Sequence, residues 1–298
     1  MVMTKGAGRP PIRTFEGRPL AYPDEPVFDQ GLRFDVETLL DRRQVLKGLG
    51  LVAITAGIAA CAPGAASSAS AGASATSSAA GSIAAGCATI IPEETAGPFP
   101  GDGSNGPDVL NQSGIVRSDI RSSFGSSSTV AGGIPLTIRL GIMDASNACA
   151  AMSGAAVYIW HCDQEGRYSL YSDGVTGENY LRGVQAADSS GIVTFTSVFP
   201  ACYSGRWPHI HFEVYPSLDK ATAQGNKIAT SQIALPKDTC DLVYATDGYS
   251  QSVANLARVS LQSDMVFGDD GGVHELGTIS GDLSSGLTVE LAVPVKGS

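Results

Sequence analysis

Six short segments have strand character, most by alternating apolar and polar side chains with a period of two and 155–161 by its β-branched and aromatic residues, and they are separated by Gly, Asp, Ser and Asn clusters such as SDGVTGEN. They are 135–144 (PLTIRLGIMD), 155–161 (AAVYIWH), 191–199 (GIVTFTSVF), 209–215 (HIHFEVY), 227–235 (KIATSQIAL) and 287–293 (LTVELAV). Runs of this kind, rich in β-branched and aromatic residues and bounded by turn formers, read as half-buried strands. Helical spacing is found in one short stretch, 251–259 (QSVANLARV). The pattern predicts an all-β chain, a β-sandwich with little helix whose long loops carry any site. With 43% hydrophobic residues in 298, a sizeable core is available. The net charge of −10 leaves no basic surface for a phosphate backbone, so nucleic acid is not an expected partner.

The N-terminal part has a different character. Arg42 and Arg43 precede the small, apolar run from Gly48 to Ala60, which is shorter than the roughly 20 residues that span a bilayer. Twin arginines before such a run resemble a Tat export signal. The IAA before Cys61 resembles a lipobox, so two outcomes stay open: lipidation at Cys61, giving a membrane-anchored lipoprotein, or ordinary cleavage. Residues 61–87, almost all Ala, Ser and Gly, read as a flexible linker. The expected organisation is an extension with its signal over 1–60, the linker over 61–87 and one folded domain over 88–298. The acidic excess lies wholly beyond residue 60.

Five cysteines follow Cys61: Cys87, Cys149, Cys162, Cys202 and Cys240. In an oxidising compartment they are disulfide candidates, and five cannot all pair internally. Cys149 with Cys162 is the expected pair, because the first enters the strand that ends at the second. Cys202 with Cys240 is a weaker second, and free buried thiols are the alternative.

The chain has four histidines, and two of them stand two apart in RWPHIHFEV. On a strand, His209 and His211 share one face while Ile210 and Phe212 point to the other. Tyr203 lies six positions before His209 with Arg206 between them, and Tyr168 follows Gly166-Arg167. Two phenolates with two neutral imidazoles prefer a hard, high-valent ion such as Fe(III) over Zn(II).

GRYS, YLRGVQAAD, GIVTFTSVFP, Tyr203 and RWPHIH resemble, in that order, the metal-binding half of the intradiol ring-cleavage dioxygenases, the catechol and protocatechuate enzymes. TAGPFP (95–100), VRSDIR (116–121) and YIWHCD (158–163) are similar to the extracellular branch. The resemblance covers about residues 90–235. It implies Tyr168, Tyr203, His209 and His211 as ligands of a non-haem Fe(III), with Tyr203 the ligand that an incoming catechol displaces. It implies that Arg206 lies over the bound ring and stabilises charge developing there, and that Gln232 stands beside the substrate. The implied reaction cuts a catechol between its two hydroxyls with O2 to give a muconate. No diffusible organic cofactor is implied. Three features depart from the family: Pro200-Ala201-Cys202 where Pro-Gly usually precedes the second tyrosine, a short spacer from Tyr203 to Arg206 that predicts an open rim, and no N-terminal helical region.

Other residues have plainer expectations. Tyr171 and Tyr180 remain alternatives to Tyr168 as ligand. His161 is expected as a hydrogen-bonded residue behind the site and His274 as exposed. Tyr158 and Trp160 are expected in the core or pocket wall, Asp163 and Glu165 in a solvated loop, and Asp188 in a turn. A tethered binding module of the same fold, without turnover, is the second functional class.

Overall fold

The structure, a computed structural model, describes residues 89–297 and a ribbon in which Thr14–Phe15 pairs antiparallel with Arg18–Pro19. The expected export signal, Cys61, the linker and Cys87 lie outside the described residues. The chain divides into two units after Gly81, and the β-rich part belongs to the second.

Its strands are β1 (Pro135–Asp144), β2 (Ala150–Ala151), β3 (Ala156–Trp160), β4 (Arg182–Ala186), β5 (Ile192–Val198), β6 (His209–Tyr215), β7 (Ala229–Ala234), β8 (Thr278–Asp282) and β9 (Gly286–Val295). One sheet runs β8-β9-β1, with β5 and β2 sharing the far edge of β1. Its pairs are antiparallel except β9 with β1, which is parallel. The second sheet is antiparallel throughout, in the order β4-β3-β6-β7. This is the all-β sandwich expected, with two short helices, α1 (Lys237–Tyr244) and α2 (Ser250–Leu256).

Alternation decides which side chains meet between the sheets. Leu136, Ile138, Leu140 and Ile142 of β1 pack in one cluster with Val157 and Ile159 of β3 and Ile210, Phe212 and Val214 of β6. Each fully buried side chain of this size contributes about 1.5–3 kcal/mol. The opposite face of the second sheet is buried too. Tyr158, Trp160 and Tyr215 pack there against Phe99, Val109, Leu110 and Ile115 of the segment before β1 and against Tyr168 of the β3–β4 loop. Every residue of β6 is therefore buried, so its polar face looks into a covered cleft.

Helix α1 is not among the expected elements. Its signal is present, since Cys240, Val243 and Tyr244 fall on one helical face and are buried, but it is only two turns long. The expected Cys149–Cys162 disulfide is corrected: Cys162 is free and buried, whereas Cys149 is disulfide-bonded to a partner outside the described residues. The Cys202–Cys240 pair is corrected likewise, as both are free and buried. Burial pushes the Cys202 thiol up to about 12, so it stays protonated and inert.

Candidate metal centre and active site

His209 and His211 project from the covered face of β6, whose neighbours set the flanking residues. In register, Trp160 of β3 lies opposite His211 on one side and Gln232 of β7 on the other. The Trp160 ring stacks on His211, with centroids 4.8 Å apart and planes 4° from parallel. Gly97 backs His211 from the covering segment: it has φ +68, and a Cβ there would lie 3.2 Å from His211 Cε1. Only glycine meets both conditions without strain.

Tyr168 arrives from the β3–β4 loop. Asp163 organises that loop by accepting from the Glu165 and Arg167 amides, Arg167 Nε and the Tyr180 hydroxyl. Asp163 is thus buried and structural, a correction to its expected solvation, whereas Glu165 is exposed and paired with Arg167. Arg182, fully buried, donates to Ser169 Oγ and O, Phe99 O, Pro100 O and Tyr158 Oη, tying the Tyr168 loop to the covering segment. The Phe99 ring lies 4.9 Å from that of Tyr168.

Tyr203 comes from the β5–β6 loop. Helix α2 clamps the residue before it, since Cys202 N donates to Ser252 Oγ and Asn255 Nδ2 donates to Cys202 O. Neither Ala201 nor Cys202 has a positive φ, so the missing glycine causes no strain. Gly166 fits under Tyr203 instead, with φ +83 and a would-be Cβ 3.2 Å from Tyr203 Cβ.

The structure brings all six sequence-predicted residues together. His209 Nε2 lies 3.1 Å from His211 Nε2, 3.2 Å from Tyr203 Oη and 3.4 Å from Tyr168 Oη. Arg206 Nη1 stands 3.4 Å from the same nitrogen, and Arg206 Nη2 donates to Gln232 Oε1 at 2.8 Å. Gln232 Nε2 in turn holds Thr95 O of the covering segment. His209 Nδ1 faces the Trp207 carbonyl at 2.5 Å, which can only accept, so Nδ1 carries the proton and Nε2 presents a lone pair. That carbonyl is the kind of partner that orients a metal-ligating imidazole.

The donor set fits a metal ion. Ligands about 2.1 Å from a shared ion at roughly right or tetrahedral angles stand about 3.0–3.4 Å apart, the spacing seen around His209 Nε2. Without a cation the two phenol O–H groups can donate toward His209 Nε2, while the neutral His209 Nε2 and His211 Nε2 still face each other at 3.1 Å. Burial, and secondarily the positive charge of Arg206, holds both imidazoles well below their ordinary pKa, hence neutral. Burial also pushes the Tyr203 phenol up to about 12 and the Tyr168 phenol well above its usual value, a cost that a bound cation would reverse. His211 Nδ1 is buried without a partner. No group of three or more His, Cys, Asp or Glu side chains suited to a metal occurs among the described residues, so the phenols are essential to this set.

The alternative ligands fall away. Tyr171 Oη donates to Asn105 O and accepts from Gly101 N, and Tyr180 is bound to Asp163. His161 uses both ring nitrogens, on Cys162 O and Ser197 Oγ, and burial lowers it to about 4. His274 is exposed, and Asp188 Oδ1 caps the turn at Ser190 and Ile192. Sequence reasoning does not find Asp264, which is buried and accepts from Arg206 Nε and Trp207 N.

Two tyrosines, two histidines and an arginine thus converge on one covered sheet face of the sandwich. A family model described as Dioxygenase matches residues 106–255. The chain belongs to the intradiol ring-cleavage dioxygenases. Among solved structures it is similar to an intradiol ring-cleavage dioxygenase from Tetranychus urticae, at 27% identity and TM-score 0.56, over 70% of this chain and 94% of that one. A more distant likeness is to hydroxyquinol 1,2-dioxygenase from Pseudomonas putida DLL-E4, at 16% identity and TM-score 0.42, over 71% of this chain and 68% of that one. Among curated proteins none matches the sequence.

Proposed function

We propose that the protein is a non-haem Fe(III) dioxygenase that cleaves a catechol-type ring between its two hydroxyls with O2, giving a muconate. The observation that carries this is the convergence of Tyr168 Oη, Tyr203 Oη and His211 Nε2 within 3.4 Å of the bare His209 Nε2. These four atoms would hold the metal. Ferric ion, when bound, supplies the Lewis acidity that activates a chelated catecholate toward O2.

The chain's own residues divide the remaining work. Tyr168 is sealed against Phe99, whereas Tyr203 is only partly buried and stands beside the exposed Ser204 and Gly205. With a metal bound, Tyr203 would therefore be the phenol open to displacement by an entering substrate. Arg206 directs Nη1 toward the donor set while Gln232 fixes its Nη2, which sets a cationic donor where charge develops on the ring. The covering segment held by Gln232 and Arg182 keeps water from the inner ligands.

Metal analysis with a visible spectrum, before and after adding catechol in air, tests this reading. The expected result is stoichiometric iron, a red-brown tyrosinate-to-iron band and catechol-dependent O2 uptake with muconate formation. A colourless protein holding zinc would sink the iron site. A coloured protein inert to every catechol tried would make the chain a binding module of the same fold.

We also place this activity outside the cytoplasm, on the strength of Arg42-Arg43, the apolar run to Ala60 and Cys61. Replacing both arginines by lysine is expected to retain the protein in the cytoplasmic fraction. Unchanged export would remove the twin-arginine assignment, and retention of a Cys61→Ala protein on the membrane would remove the lipid anchor.

A further inference from the structure

Arg206 is a long side chain, and a free guanidinium carries about 2 kcal/mol of rotamer entropy. Something has to aim it. Gln232 holds one end of the fork, and the opposite edge, Nε, donates to Asp264 Oδ2 at 2.9 Å. The same oxygen accepts from the Trp207 amide at 2.6 Å. Oδ1 accepts from the amides of Val266 at 2.9 Å and Phe267 at 3.2 Å. The carboxylate thus receives four N–H donors, about its full capacity, and its side chain is completely buried. Phe267, fixed by Asp264, places its ring 5.9 Å from Arg206 Cζ and 6.5 Å from the His209 ring.

We infer that Asp264 is a positioning residue for the reaction: it locks the Nε edge of Arg206 so that the other edge faces the donor set, and through the Trp207 amide it fixes the turn whose carbonyl orients His209. This rests on the iron dioxygenase reading. It adds to the site a residue that lies beyond the segment matched by the family model, residues 106–255. Asp264 touches neither metal ligand nor substrate position, and acts through Arg206 and Trp207. An amide cannot replace it. In either orientation, the side chain introduced by Asp264→Asn would turn an NH2 group toward two N–H donors, either Arg206 Nε with Trp207 N or the Val266 and Phe267 amides.

The test is a double-mutant cycle with Asp264→Asn, Arg206→Ala and the two combined, reading iron content, the visible band, kcat and KM. Asp264→Asn is expected to keep its iron and colour and to lose kcat by on the order of 10-fold or more, as for a displaced catalytic group, with a smaller change in KM. In the Arg206→Ala background the same change should cost much less kcat, only the part that passes through the Trp207 amide. Thermal midpoints of the four metal-free proteins should be non-additive in the same sense, a readout independent of turnover. Equal costs in both backgrounds, or an unchanged kcat in Asp264→Asn, would overturn the inference while leaving the enzyme reading intact. Wild-type protein that binds iron but turns over no catechol would overturn the enzyme reading and this inference with it. If Asp264→Asn does not fold, Asp264→Glu, which displaces the charge by one methylene, enters the same cycle with the same criteria.

Discussion

His209→Ala is expected to purify colourless, with iron content reduced on the order of 10-fold or more, since changes even behind a metal ligand cost that much affinity and this one removes a proposed ligand. The position is the hub of the set: its Nε2 is the atom from which His211 Nε2, Tyr203 Oη and Tyr168 Oη stand at 3.1, 3.2 and 3.4 Å. The backbone of β6 pairs on both sides with β3 and β7, so the ladder does not depend on the imidazole. Tyr168→Phe is the companion, because it removes one oxygen and leaves the ring packed on Phe99. It should retain part of the metal and lose intensity in the charge-transfer band. Iron analysis by emission spectroscopy and the visible spectrum decide both. Full metal with an unchanged band in either variant would mean that the ligand set is wrongly drawn.

The strands that carry the site are legible because their pattern is strong. HIHFEVY reads as β6 to the residue, and the period of two that separates His209 and His211 from Ile210 and Phe212 is the same alternation that builds the core. What alternation cannot give is the neighbour of a strand. The covered cleft above β6 exists because residues 95–115 and the β3–β4 loop fold across the sheet, and nothing in HIHFEVY encodes that roof. Strand β4, RGVQA, lacks both length and alternation, so its motif is legible and its conformation is not. Asp163 and Asp264 show the same limit for charge. An aspartate among Gln, Glu and Arg or among Ser and Met reads as solvated, yet each collects donors from a loop that closes around it. The pairing of Cys149 with Cys162 rests on chain proximity, whereas Cys162 points into the packed cluster beneath Tyr168 and is free.

Arg206→Ala should separate chemistry from metal binding. The guanidinium donates no electron pair to the ion, so iron and the tyrosinate band are expected to persist. Turnover should fall on the order of 10²-fold or more, the cost of deleting one preorganised donor where charge develops. Because that charge is larger in the transition state than in the bound catechol, the loss belongs mainly in kcat and only weakly in KM. Stability will fall as well. The variant leaves Asp264 buried without its counter-charge, which costs about 3–5 kcal/mol and should appear as a lower thermal midpoint. Arg206→Lys distinguishes charge from geometry: one ammonium cannot reach Asp264 and Gln232 as the two edges of the fork do, at 2.9 and 2.8 Å. Its kcat is expected between that of wild type and the alanine variant. If lysine restores full turnover, charge alone suffices and the fork is dispensable. If alanine leaves kcat unchanged in protein that retains its iron, the arginine serves the fold and the charge on the ring is stabilised by other groups.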